Sequence, residues 1–509
     1  MAVPSFIGKI FGSINKAGSE EKEKTESELP FALIVFTLLA ASGVSPYDSW
    51  KKMRKLSFLP TFKKEAEEVV RQVEVLGKDP LTVMVNRSET TTSKLYRNFL
   101  GGFVSSIRSG GKLADYMKSQ LKEIFELRTN GLNRSIERIV TLVEAYSVML
   151  IVVLCTYILF VVLGASNLGA ITGGMAISIS PMVSYAIAFI LMPFMSLLFI
   201  LMAHNLQKSA FPDLKDLYKR ALMFVIPAFA VIAAFAMIPS LSNGLGPLKL
   251  PEVTTICLVG CAVPTAIQYR RISKINYNAE DAIPSFIRNI SESQKAGLSP
   301  EKSIIQATKR KDYGPFSKFL ELMRSQIEWG IPLRKTFDNM RKKIRSWFVI
   351  INFAMVVETI EVGGNSIQSL EILSEYSEKE RELQINRREL LKPYVLLALM
   401  WSVLIAVTTV IVAFTSNMIS GVMSSSVLAS TTPVMQSQLG TFSVGIIIQC
   451  WVSGFFIGKI AEGNLGAGFK HAALLAATAY VSLILSQMLL AKTFNPISSG
   501  LNPNIGPGT

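Results

Sequence analysis

The stretch LPFALIVFTLLAASGVSP, residues 29–46, decides how the first half of the chain folds, because it is the only long apolar run before Glu144. As a helix, the apolar part before Ser42 would be roughly 20 Å long, short of the about 30 Å of a bilayer core. The preceding SEEKEKTESE is rich in acidic residues, unlike the basic start of a signal peptide. We interpret the stretch as the first helix of a soluble helical domain. The alternative is a helix embedded in the bilayer.

Two long uncharged blocks predict a membrane protein. Neither the segment between Glu144 and Lys208 nor the segment from Pro393 to Gly458 contains Asp, Glu, Lys or Arg. Because a soluble domain of that length would expose charge, both blocks are interpreted as membrane-spanning. The predicted spans are 143–164, 181–203, 221–239, 252–268, 393–415, 440–458 and 472–491. We expect no charged residue inside any of these spans, which disfavours ion-coupled transport.

The distribution of Lys and Arg predicts the orientation. One side of the membrane would hold 22, 4, 22 and 2 of these residues, in the segments 1–141, 204–220, 269–392 and 459–471. The opposite side would hold only Lys249 and Lys492. Basic loops resist translocation, so the N-terminus is expected inside and the C-terminus outside. The predicted location is the cell membrane, with both large domains in the cytoplasm.

The opening stretch has a second copy in the chain. Shifted by 254 residues, it lies over IPSFIRNISESQKAGLSP, residues 283–300, and the shared positions indicate a duplication. These pairs are Pro30 with Pro284, Gly43 with Gly297, Ser45 with Ser299 and Pro46 with Pro300. The later turns align as well, pairing Gly110 with Gly363 and Gly111 with Gly364. The second copy contains three charged residues, Arg288, Glu292 and Lys295, and therefore cannot span a bilayer.

The predicted fold is an all-α integral membrane protein, a tandem repeat of a cytoplasmic helical-bundle domain followed by transmembrane helices. We divide the chain into a charged tail (1–28), a first cytoplasmic domain (29–141), four spans (142–268), a second cytoplasmic domain (269–392), three spans (393–491) and an external polar tail (492–509). The span at 252–268 has no counterpart in the other copy. It returns the second domain to the cytoplasm.

One amphipathic segment of the second domain concentrates positive charge. IPLRKTFDNMRKKIRSW, residues 331–347, predicts a helix with an apolar face and a basic face. The apolar face is Leu333, Phe337, Met340 and Ile344. The basic face includes Arg334, Lys335, Arg341, Lys342 and Arg345. Six basic residues and one acid between 334 and 345 give a local charge of +5.

Catalytic motifs are not found in the sequence. His204 and His471 both lie at predicted membrane edges, without a recognisable nucleophile or carboxylate arrangement. Cys257 and Cys261 do not have the spacing of a zinc site. We therefore expect no enzyme activity, no cofactor, no metal and no nucleic-acid partner.

The repeated domains resemble the type II secretion F family, the inner-membrane platform proteins of type IV pilus-like machines. The resemblance rests on SGVSP and AGLSP closing the first helix of each copy, and on IEVGGNSI, where Glu361 and Gly364 occupy the family's Gly-Glu-x-x-Gly turn and Ile360 replaces its first Gly. Arg108 stands at the Glu position in the first copy. The number of spans is similar to archaeal members, which build archaella and adhesive pili.

This resemblance implies a mechanical role. A cytoplasmic hexameric ATPase would engage the two domains, and the membrane part would move pilin- or archaellin-like subunits into a filament. The implied ATPase-docking candidates are Arg334, Lys335, Arg341, Lys342, Lys343, Arg345, Glu358 and Glu361, and the domain-turn glycines are Gly110, Gly111, Gly363 and Gly364. A homodimer is expected.

Three alternatives stay open from sequence. The basic face could contact anionic lipid headgroups, and membrane lipids are expected partners in any case. A transporter or channel with regulatory cytoplasmic domains is the rival function, and a passive scaffold or receptor, which ATPase binding would distinguish, is a third. The sequence does not distinguish an archaellum from an adhesion pilus or a secretion pseudopilus.

Overall fold

The fold is helical throughout the part of the chain that the computed structural model describes. The described residues are 3–56, 58–165, 186–207, 215–237, 249–310, 313–362, 366–423 and 432–500, and they contain no β-strand. The first half has the helices α1 (Val3–Ala41), α2 (Pro46–Met53), α3 (Pro60–Glu74), α4 (Pro80–Thr90), α5 (Lys94–Arg108), α6 (Leu113–Ala165), α7 (Met192–Leu206) and α8 (Lys215–Met237). The second half has α9 (Leu250–Lys295), α10 (Pro300–Thr308), α11 (Ser317–Glu328), α12 (Leu333–Arg341), α13 (Trp347–Val362), α14 (Ser366–Leu391), α15 (Pro393–Met423), α16 (Thr432–Glu462) and α17 (Leu465–Gly500).

Seven of the described helices are long and apolar enough to cross a membrane, which confirms the predicted number of spans. They are Leu113–Leu159, Ile187–Leu206, Leu217–Phe235, Leu250–Lys295, Ser366–Thr415, Phe442–Glu462 and Leu465–Leu490. The chain forms two compact units. Unit 1 comprises Met1–Arg134 and Lys274–Gln384, and unit 2 comprises Ser135–Ser273 and Ile385–Thr509.

The apolar run of the opening stretch lies in the core of unit 1. Every residue from Leu29 to Leu39 is buried, on all sides of α1. The one hydroxyl in this run, Thr37 Oγ1, donates to the carbonyl of Leu33 at 2.7 Å, so no polar group is left unsatisfied there. A helix that is apolar all round requires packing on all sides. Helix α1 also includes residues that the sequence analysis placed in the charged tail.

The two copies close their first helices with the same turn. Gly43 and Gly297 have φ values of +77° and +87°, in the left-handed region that glycine adopts without strain. Ser45 and Ser299 then cap the next helix, accepting from the backbone N–H of Asp48 and Lys302. In both copies a proline follows as the first helical residue, where its missing N–H is not needed.

Side chains of the two copies pack against each other inside unit 1. The Phe31 ring of the first copy meets Trp347 of the second edge-on, with centroids 4.3 Å apart. Arg128 donates to Glu380 at 2.9 Å, and its guanidinium lies 5.0 Å from the Phe31 ring centroid. One apolar cluster contains residues of both copies. The two copies therefore share one hydrophobic core.

Unit 2 has a polar network among its apolar helices. The Tyr146 hydroxyl lies 2.9 Å from Ser196 Oγ and 2.6 Å from Ser453 Oγ, and Gln449 donates to Ser196 at 2.8 Å. Such hydrogen bonds join helices in an apolar surrounding.

The expectation of charge-free spans is wrong, because Glu144 and Glu252 lie inside the predicted bounds 143–164 and 252–268. The candidate span Phe442–Glu462 extends past the predicted end at 458 and includes Lys459, whose side chain is fully buried. The Lys459 ammonium donates to the carbonyl of Gly463 at 2.9 Å, just beyond the end of α16. The cation therefore satisfies a carbonyl at the helix C-terminus, where positive charge is favourable.

Helices α16 and α17 touch through their backbones. A Cβ added at Gly454 would lie 2.3 Å from the Cα of Ala472, and one at Gly458 would lie 2.4 Å from the Cα of Gly468. Two glycines four residues apart let a partner helix approach this closely. No side chain fits at either position without separating the helices.

Gly454→Ala and Gly458→Ala should each lower the thermal stability of the detergent-solubilised protein, because overpacking costs about 1–3 kcal/mol. Gly440→Ala in the same helix is the matched control, since an added Cβ meets nothing within 4 Å there. An equal effect of all three substitutions on the melting temperature would contradict the close approach.

Candidate partner-binding surface

Helix α12 carries the basic face predicted from the sequence. Thr336 and Met340 are buried, and Leu333 and Phe337 pack partly against the core of unit 1. These contacts fix the rotation of the helix about its axis. The side chains of the opposite face, including Lys335, are consequently exposed.

The helix is shorter than predicted. It ends at Arg341, so Ile344 lies beyond the helix, after a turn at 342–343, although it packs in the same apolar cluster as Met340. Ile344 is buried, and the backbone directly after it is hydrogen-bonded to another helix. The side-chain oxygen of Asn276 accepts from the backbone N–H groups of Arg345 and Ser346, both at 3.0 Å.

The structure brings three of the predicted site residues together. Arg334 Nη2 lies 2.8 Å from Glu358 and 3.0 Å from Glu361, one helical turn further along α13. The Glu358 side chain is only 13% exposed, whereas those of Arg334 and Glu361 are 48% and 40% exposed. Glu358 is thus an internal anchor for Arg334, and the guanidinium remains accessible.

Burial raises the pKa of the Glu358 carboxyl above its usual value. Arg334 opposes this shift, Glu361 adds to it, and Lys52 and Lys55 of the first copy oppose it as well. The cost of desolvating the carboxylate therefore exceeds the gain from its cationic neighbours. An ion pair of this kind orients side chains more than it stabilises the fold.

The remaining predicted cations follow Arg334 in the chain, within and just after α12. Lys335, Lys342 and Lys343 are exposed, as is Arg341, while Arg345 is half-buried. Arg341 and Arg345 both have interaction partners within the chain. The lysines are accordingly the side chains most available to an external partner.

Of the predicted domain-turn glycines, the structure describes those of the first copy. Gly110 ends α5 with φ of +68°, and its N–H donates to the carbonyl of Ile107. The N–H of Gly111 donates to the carbonyl of Ser106 at 3.0 Å, which completes the turn. Gly363 and Gly364 lie outside the described residues.

Two features escaped the sequence analysis. Helix α2 and the residues after it carry the basic run KKMRK, residues 51–55, which is readable in the sequence but has no counterpart in the other copy. His471 does have a neighbouring carboxylate, because its Nε2 lies 3.8 Å from Glu462, which Lys470 contacts at 3.1 Å. Among the described residues, no three His, Cys, Asp or Glu side chains are placed to hold a metal ion.

Comparison with known proteins identifies the family. The model of type II secretion system (T2SS) protein F matches the chain twice, at residues 32–161 and 286–413. This chain belongs to the T2SS protein F family. Each match begins in the first helix of one copy and extends into the apolar helix that follows that copy.

One relative of this family member is an uncharacterized protein of Methanocaldococcus jannaschii. It is 21% identical over 500 residues, an alignment that covers 91% of this chain and 80% of the relative. No solved structure matches the chain.

The raised pKa of Glu358 predicts that the difference in stability between the wild type and Glu358→Gln depends on pH. Below its ordinary pKa of 4.5 the carboxyl is protonated in the folded and the unfolded chain. As pH rises through the raised folded-state pKa, the wild type loses stability, because the unfolded chain releases this proton first. Glu358→Gln lacks that loss, so it should become the more stable protein as pH approaches neutrality.

Thermal unfolding in detergent between pH 4 and pH 7 measures the difference. Glu361→Gln, which also removes a carboxylate beside Arg334 but at a more exposed position, is the matched control and should change stability less. A Glu358→Gln protein that is less stable than wild type at pH 7 would show that the ion pair outweighs burial.

Proposed function

We propose that this protein is the membrane platform of an archaeal type IV pilus-like assembly machine, building an archaellum or an adhesive pilus. It couples a cytoplasmic hexameric ATPase to the insertion of pilin-like subunits into a filament. The observation that carries the proposal is the double match to protein F, since this family serves as a membrane platform in type II secretion and type IV pilus-like systems. That the relative comes from an archaeon supports the archaeal assignment.

In this proposal unit 1 lies in the cytoplasm and receives the ATPase. The split of Lys and Arg between the two sides of the membrane supports this orientation, with the N-terminus inside and the C-terminus outside. The platform itself performs no chemistry. ATP hydrolysis in the partner supplies the work, and the helices that leave unit 1 transmit the movement.

The ATPase docks on the basic surface of the second copy. Lys335, Lys342 and Lys343 are exposed there, and Arg334 is held at the surface by Glu358. Charge of one sign on a fixed helix face attracts an acidic partner and orients it during approach. Lipid headgroups are the alternative occupant of such a surface.

Reversing three charges tests the docking. Lys335→Glu, Lys342→Glu and Lys343→Glu together should weaken ATPase binding about tenfold or more at low salt and less at high salt. The triple variant should also fail to assemble filaments, while its amount in the membrane stays normal. Binding is measured between the detergent-solubilised platform and the purified ATPase.

The matched control reverses three exposed lysines of the first copy, Lys112, Lys118 and Lys122. It changes the net charge by the same amount and should bind the ATPase as wild type does. Unchanged binding by the Lys335, Lys342 and Lys343 variant would remove this surface from the mechanism.

A further inference from the structure

A small cavity lies among the helices of unit 2. Its volume is about 20 Å³, and residues of α6, α15, α16 and α17 line it. One water molecule needs about 10–15 Å³ of such space. A purely apolar cavity of this size stays dry, whereas a cavity that offers about two to four polar partners holds water. The polar groups of the lining therefore decide what the cavity contains.

The lining includes a hydrogen-bond donor without a partner. Trp401 lines the cavity, and its Nε1 is buried with no acceptor in reach among the residues that the structure describes. An indole N–H can only donate. Leaving it unpaired away from water costs free energy, and such groups are rare in folded proteins. An acceptor inside the cavity would remove this cost.

Two serine hydroxyls of the lining can accept hydrogen bonds. Ser147 donates to the carbonyl of Val143 at 2.9 Å, and Ser402 donates to the carbonyl of Leu475 at 3.0 Å. A hydroxyl has one proton and two lone pairs, so both protons are used while both oxygens retain lone pairs. The lining thus offers one donor from Trp401 and acceptors from two serines.

Tyr146, which also lines the cavity, uses its proton elsewhere. The Ser453 hydroxyl donates to the carbonyl of Gln449 at 2.9 Å, so Tyr146 must be the donor in its 2.6 Å contact with Ser453. Ser196 then donates to the phenol oxygen and accepts from Gln449 Nε2. These bonds form a closed ring that joins α6, α7 and α16. The ring does not include α15.

We propose that the cavity binds one ordered water molecule, which accepts a hydrogen bond from Trp401 Nε1 and donates to the hydroxyl oxygens of Ser147 and Ser402. The site requires a ligand that accepts once and donates twice, which is the chemistry of water and not of an apolar chain. A bond through water is enthalpically nearly as good as a direct one. This inference does not depend on the proposed function.

The water links α6 to α15. Helix α6 contains the end of the first copy and the span that follows it, and α15 begins at Pro393, directly after the last helix of the second copy. The bridge therefore connects the two membrane helices that continue from the two copies of the repeated domain. Without it, the ring of hydrogen bonds around Tyr146 does not reach α15.

Trp451 provides an internal comparison. Its Nε1 is likewise buried and has no partner in the described part of the chain. Its ring packs against those of Phe229 and Phe455, with centroids 5.8 and 4.7 Å away, and it does not line the cavity. The two indoles thus differ in whether a space for water lies beside them.

The test is an NMR measurement on the full-length protein in detergent, isotope-labelled at the tryptophan indole nitrogens. Trp401→Phe and Trp451→Phe assign the two resonances by their loss, and Trp401→Tyr serves if Trp401→Phe does not fold. We expect a cross-peak between the indole proton of Trp401 and a long-lived water molecule, and none for Trp451. Ser147→Ala combined with Ser402→Ala should abolish this cross-peak.

The control for the serine variants is Thr156→Ala. Thr156 also lies on α6 and donates to a backbone carbonyl, that of Val152 at 2.8 Å, but it is exposed and does not line the cavity, so the cross-peak should stay. Absence of a water cross-peak at Trp401 in the wild type would show a dry cavity and overturn the inference. A cross-peak with detergent or lipid protons in its place would do the same. Persistence of the water signal in the double serine variant would overturn the bridge between α6 and α15.

Discussion

The burial of Leu29–Leu39 among helices of both copies is the interaction on which the organisation of unit 1 depends. A run of 11 residues that is apolar on every side of its helix can be stable only in a bilayer or in a protein core, and here it lies in a core. Phe31 illustrates the consequence, since it contacts Trp347 and Tyr376 of the second copy and lies beneath the Arg128 guanidinium. The two copies are therefore held as one body, and a force applied to one reaches the other through packed side chains.

The two copies have the same turn after their first helix, but the two first helices differ in which of their faces are buried. Gly43 and Gly297 have the same left-handed conformation, and the serine caps that follow have nearly the same backbone angles. The first helix of the second copy, however, is buried on one side, at Ile283, Phe286, Ile287 and Ile290, and exposes Arg288, Glu292 and Lys295 on the other. Only in the first copy is this helix buried on every side. The same divergence placed the basic clusters on different helices.

Local patterns made much of this readable from sequence. The helical class, the seven apolar helices and the turns at Gly43 and Gly297 depend on residues close together in the chain, where periodicity and glycine or proline chemistry dominate. Errors arose where distant residues decide the local structure. Helix α12 ends at Arg341, and Asn276, about 70 positions away in the chain, accepts from the backbone N–H groups of Arg345 and Ser346 that follow it. Likewise, no local pattern indicates that Arg334 pairs with Glu358 of α13, or that Lys459 can be buried by donating to Gly463.

The shared core can be tested by cross-linking the copies. Ser42 Oγ of the first copy and Ser369 Oγ of the second lie 3.3 Å apart, so cysteines at these positions are close enough for a disulfide. The four native cysteines are first replaced, and a protease site is introduced between the copies. With Ser42→Cys and Ser369→Cys, the account predicts that mild oxidation joins the two halves of one chain, which stay together after cleavage until reductant is added. Halves that separate without reductant, or disulfides formed only between different chains, would contradict the claim that the two copies of one chain share a core.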